Sequence, residues 1–158
     1  MTGAALEELD RALDALERLA RADGRPSRHE ARAILVPLGT ALAEGAKGTE
    51  ARIARLRQAV ERLRESWEAA VHEELSLACA EHVQAVDPRY LGLPDYDFDY
   101  TVGARARLQA RLRAAEALGI EAPRPLWLQV EQADAVLKDY LRAQETDSEG
   151  GGNGSSRL

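Results

Sequence analysis

Apolar residues recur at steps of three and four along most of this chain, and that spacing limits its fold more than any other feature. Leu6, Leu9, Leu13, Leu16 and Leu19 open the pattern. At about 100° per residue, such steps keep the side chains on one face of an α-helix, whereas a half-buried strand needs strict alternation. The chain is rich in alanine, leucine, arginine and glutamate, all strong helix formers, and poor in the β-branched and aromatic residues that favour strands.

Local stop and start signals divide the pattern. Asp23-Gly24-Arg25-Pro26 ends the first helix, with Gly24 the residue expected to take a left-handed turn. Ser27 stands three residues before Glu30, the capping-box spacing, and opens a second helix that runs to about Glu44. Ile34, Leu35, Leu38 and Leu42 face inward in it, and Pro37 is expected to kink or break it. After the turn Gly45-Ala46-Lys47-Gly48, the longest helix is expected from Glu50 to Ala85, about 54 Å. Ile53, Leu56, Val60, Leu63, Trp67, Ala70, Glu74 and Leu77 form a coiled-coil-like seam along it. A second apolar face holds Val71, Leu75, Ala78, Cys79 and Val86. A connection over residues 86–101 leads to a helix from Val102 to Leu118, stopped by Gly119. A last helix follows Pro123 and Pro125, carries Leu126, Val130, Ala133, Leu137 and Tyr140 on one face, and ends near Gln144.

The expected fold is therefore all-α: about five helices around one long central helix, a helical bundle with a coiled-coil-like seam. Residues 1–145 form the bundle domain, and the Gly/Ser-rich tail 146–158 is expected to be disordered. At 158 residues the chain is long enough to bury a core without staples. No apolar run approaches the span of a bilayer and none near Met1 resembles a leader, so no membrane partner and a cytoplasmic location are expected. Cys79 is alone, so no internal disulfide can form. A net charge of −6 argues against broad nucleic-acid binding, although arginines of the long helix and the next one could make a local basic patch.

No catalytic residue is assigned. There is no nucleophile elbow and no His-Glu-x-x-His zinc motif. Gly45 to Thr49 has the letters of a phosphate loop in the wrong order and follows a helix, so it reads as a turn. Glu68, His72, Cys79 and His82 share one face of the long helix. His72 and His82 are ten residues apart, about 15 Å along the axis, and cannot share an ion. Neither Glu68/His72 nor Cys79/His82 can complete a tetrahedral site without ligands from another helix. No metal and no cofactor are expected.

Asp95-Tyr96-Asp97-Phe98-Asp99 mimics the start of a calcium loop but has Tyr100 at the sixth position and Ala106 at the twelfth, where that loop needs Gly and Glu. Tyr90, Tyr96, Phe98 and Tyr100 place four of the chain's seven aromatic side chains within eleven residues. Tyr90, Asp95, Tyr96, Asp97, Phe98, Asp99 and Tyr100 are thus the candidate partner-binding residues, against the alternative that the aromatics only seal the bundle. The expected function is a non-enzymatic helical protein-interaction or scaffold module, able to self-associate through the seam of Leu56, Val60, Leu63 and Trp67. The alternatives are a metal- or cofactor-binding bundle centred on Cys79 and His82, and a small helical subunit of a nucleic-acid complex.

Overall fold

The computed structural model describes residues 3–93 and 97–156, the side chains of 147–156 excepted. The described residues form an all-α bundle: α1 (Gly3–Arg21), α2 (Arg28–Glu44), α3 (Thr49–Ala59), α4 (Arg64–Ala85), α5 (Phe98–Ala117) and α6 (Arg124–Ser156), with a 3-10 turn at Glu61–Leu63 between α3 and α4. Among them there is no strand, and no helix is long and apolar enough to cross a membrane.

The expected long helix is two helices. Val60 (φ −97°, ψ 5°) and Leu63 (φ −117°, ψ 19°) leave the helical backbone on either side of the 3-10 turn. No glycine or proline marks the break. It falls where the packing partners change: α3 lies on α1, while α4 lies on α2, α5 and α6. The seam is redistributed accordingly. Leu56, Val60 and Trp67 are buried inside this chain, Leu63 is half-buried, and Leu77 is 44% exposed. The first three are therefore spent on the monomer's own core, and the dimer expected through that seam has no free seam to use.

No long central helix organises the bundle; α2 takes that place, packing against α1, α5 and α4 and touching α3. It buries Ala31, Ile34, Leu35, Pro37, Leu38, Gly39 and Ala41. The Ser27–Glu30 capping box is present: the Ser27 hydroxyl accepts from the His29 N–H at 3.2 Å, and the Glu30 carboxylate accepts from the Ser27 N–H at 3.3 Å. Pro37 does not break α2, which runs through it from Arg28 to Glu44. Its missing N–H deprives only the Ala33 carbonyl of its usual donor. At Gly39 α2 and α5 approach closely, because a Cβ there would lie 2.6 Å from the Ala110 carbonyl oxygen of α5.

One core cluster draws on all six helices, including Leu9, Leu13 and Leu16 of α1, Leu75 of α4, Leu108 of α5 and Val130 of α6. Burial of each such side chain contributes about 1.5–3 kcal/mol. Charge pairing adds register between α1 and α3: Arg52 grips Asp10 with two hydrogen bonds (2.8 and 2.9 Å), and Arg55 bridges Asp14 and Glu17. At the end of α1 the left-handed residue is Asp23 (φ 56°), not Gly24. Gly24 is needed for room, since a Cβ on it would lie 2.4 Å from Leu19 Cδ1. The helix α6 extends to Ser156, past the end expected near Gln144, with the Thr146 hydroxyl donating to the Arg142 carbonyl at 3.0 Å. The side chains of the expected tail from residue 147 onward lie outside the described residues.

Candidate functional site

Over residues 86–92 the connection that follows α4 is a series of tight turns. The Tyr90 and Leu91 N–H groups both donate to the Asp87 carbonyl (3.0 and 2.9 Å), and Gly92 adopts φ 94°. Arg89 clasps the Asp87 carboxylate, which these hydrogen bonds hold below its ordinary 3.8. Asp97 caps α5, its side chain accepting from the Asp99 N–H at 3.0 Å, so α5 starts at Phe98, four residues before the expected Val102. Two of the carboxylates in the calcium-like motif therefore serve the helix: Asp97 as cap, and Asp99 in the first turn, where a negative charge meets the positive end of the helix dipole. Asp95 and Tyr96 lie outside the described residues.

The aromatic side chains part company. Phe98 packs on Tyr140 of α6, ring centroids 5.9 Å apart. Tyr100 is 43% exposed beneath the Arg107 guanidinium of α5, and Tyr90 is 44% exposed beside Arg89. Phe98 thus takes a sealing position, while Tyr90 and Tyr100 face solvent on different neighbours.

An apolar groove of about 340 Å³ lies beside this connection, between the end of α4 and the middle of α6. Val83, Val86, Asp87 and Pro88 line one side, and Gln129, Gln132, Ala133 and Val136 of α6 the other. Val83 is 41% exposed and Val136 36%. One turn beyond Val136, Tyr140 meets Phe98 and would lie 3.4 Å from a Cβ on Gly92, so the groove and the connection adjoin along α6.

The residues of α4 that suggested a metal are separated. The His72 Nε2 is 3.0 Å from the Glu121 carbonyl, to which it donates. His82 is fully buried, and its Nε2–H donates to Asp134 Oδ1 at 2.8 Å. An ionised carboxylate only accepts, which fixes the proton on Nε2. Arg105 grips the same carboxylate through Nε (2.8 Å) and Nη2 (3.1 Å), and the buried His82 Nδ1 has no hydrogen-bond partner. Burial, with the Asp134 charge adding to it, pushes the Cys79 thiol up, and its nearest acceptor is Gln129 Oε1 at 3.6 Å. A buried thiol with a raised pKa is inert as a nucleophile. Among the described residues no group of three or more His, Cys, Asp or Glu side chains is placed to hold a metal.

A second buried charge cluster joins α2, α4 and α5. Glu74 accepts from Arg111 Nε at 2.9 Å and from Arg28 Nη1 at 3.1 Å. Arg105, Arg111, Gln129 and Asp134 carry no signal in the sequence that ties them to His82, Cys79 or Glu74. Each pairing crosses from one helix to another at separations of 29 to 52 residues.

Compared with known protein families, with curated proteins and with solved structures, the chain shows no match.

Proposed function

We propose that this chain is a non-enzymatic helical module that binds another protein chain through the α4–α6 groove and the adjoining connection. One observation carries this reading: Val83 and Val136 remain 41% and 36% exposed along one apolar groove, and Tyr90 and Leu93 of the adjoining connection 44% and 52% exposed, while Trp67, Leu75 and Leu126 of the same two helices are buried. Clustered exposed apolar surface of this kind favours association, because covering it removes it from water. Tyr90 on the adjoining connection can supply contact area at low entropy cost. The lone buried thiol suits a reducing compartment such as the cytoplasm.

The test is photo-crosslinking in cells from a reactive side chain at position 136, with and without Val83→Asp. A discrete crosslinked protein, either a second copy or another chain, that Val83→Asp abolishes while circular dichroism stays unchanged supports the proposal. Crosslinking that is diffuse, absent, or indifferent to Val83→Asp overturns it.

A further inference from the structure

Elsewhere on the bundle the surface has another character. A groove of about 670 Å³ runs between α1, α2 and α5 and shares no lining residue with the α4–α6 groove. Arg11, His29, Arg32, Arg107 and Arg111 line it, and Glu8 is the one carboxylate among its walls, in a chain whose net charge is −6. The fold produces this concentration by using the acids elsewhere. On α1, Asp10, Asp14 and Glu17 turn to Arg52 and Arg55 of α3, which leaves Arg11 on the other face. Arg11 and Arg32 are exposed and make no ion pair among the described residues. Arg107 is only loosely engaged, its Nε 3.8 Å from Glu81 and its guanidinium over Tyr100. Arg111 is held rigid by Glu74.

The floor between these cations is apolar, made by Ala12, Ala33, Val36 and Pro37. An inorganic anion would satisfy the guanidinium groups and leave the apolar floor unused. A peptide with carboxylates on one face and small apolar side chains on the other satisfies both. Arginine forks match carboxylates bidentately, and helix-in-groove docking lays the apolar face of a helix on an apolar floor. The groove follows α2 from His29 to Pro37, about 12 Å, which two to three turns of helix would cover.

The geometry points to a docking site for an acidic amphipathic segment of a partner protein in the α1–α2–α5 groove, recognised by Arg11, Arg32 and Arg107 over the Ala33–Val36 floor. The probe is a fluorescent synthetic peptide of about 11 residues, three helical turns, with Leu and Ala on one face and Glu on the other. Its anisotropy is titrated with the full chain at low and at high salt. Binding is expected at low salt, weakening at least about tenfold at high salt as the exposed pairs are screened. A similar loss of about tenfold or more is expected for Arg11→Glu/Arg32→Glu, whose exposed sites leave the fold intact by circular dichroism. Ala33→Trp, which fills the floor, should weaken binding without altering charge, and a peptide with Lys in place of Glu should not bind. Equal affinity for wild type and the double variant overturns the site. So does affinity unaffected by Ala33→Trp, and so does the absence of binding. Tighter binding of a short single-stranded RNA, or competition by inorganic phosphate alone, overturns the assignment to a peptide.

Discussion

Replacing Gly39 by alanine sets helix propensity against a backbone contact, and the structure decides which prevails. In an exposed helix interior, glycine is about 1 kcal/mol worse than alanine. Gly103 of α5 offers that ordinary case, because a Cβ there meets only the mobile tip of Arg107 at 3.1 Å. At Gly39 the same atom would lie 2.6 Å from the Ala110 carbonyl oxygen, 3.0 Å from its carbon and 3.1 Å from its Cβ. These atoms belong to a neighbouring helix and cannot swing aside. Ordinary contact begins near 3.4 Å, so α2 and α5 would have to part by several tenths of an ångström. Overpacking of this kind costs about 1–3 kcal/mol. After the gain in propensity, Gly39→Ala should lose up to about 2 kcal/mol, whereas Gly103→Ala should gain about 0.5–1 kcal/mol. At about 2–4 °C per kcal/mol for a chain of this size, the two melting temperatures should move in opposite directions from wild type. Thermal and urea melts followed by circular dichroism read both. If Gly39→Ala stabilises as much as Gly103→Ala, α2 and α5 do not approach as closely as described.

The Glu74 cluster gives a larger effect. Glu74→Ala leaves Arg111, 6% exposed, without its carboxylate, and should cost about 3–5 kcal/mol in urea unfolding; a loss below about 1 kcal/mol would show that Arg111 finds water instead. For the α1–α3 network the sign follows from the carboxylates. Hydrogen bonds from Arg52 and Arg55 lower Asp10 and Glu17 from their ordinary 3.8 and 4.5. Their contribution is present above those values and is lost as pH falls through the lowered ones. Because the pairs are exposed, it is at most about 1 kcal/mol each. Arg52→Gln/Arg55→Gln should therefore narrow the stability difference between neutral and acid pH, and an unchanged acid-unfolding profile would count against the network. Cys79 should resist a thiol reagent in the native protein at mildly alkaline pH and react fully after unfolding; fast native labelling would contradict its burial.

Helix-forming composition and three-four periodicity made the all-α class legible, and short-range chemistry placed the best boundaries. The capping box of Ser27 and Glu30 depends on residues three apart, so it can be read from the chain alone. Asp97 is a local cap too, but its likeness to a calcium loop drew attention from that plainer role. Features that depend on which helices meet were not legible. Between Val60 and Leu63 the helix breaks without glycine or proline, because α3 and α4 answer to different neighbours. Spacing turned Glu74 and Leu77 inward together, yet only Glu74 is buried: Arg28 and Arg111, from two other helices, neutralise it there, while Leu77 faces solvent. The two grooves follow the same logic, since the arginines of α1, α2 and α5 lie far apart in sequence and the acids of α1 are drawn away by α3. Periodicity is a property of one helix and is written in its own residues. Burial, pairing and clefts belong to contacts between helices, and the chain settles those only when it packs.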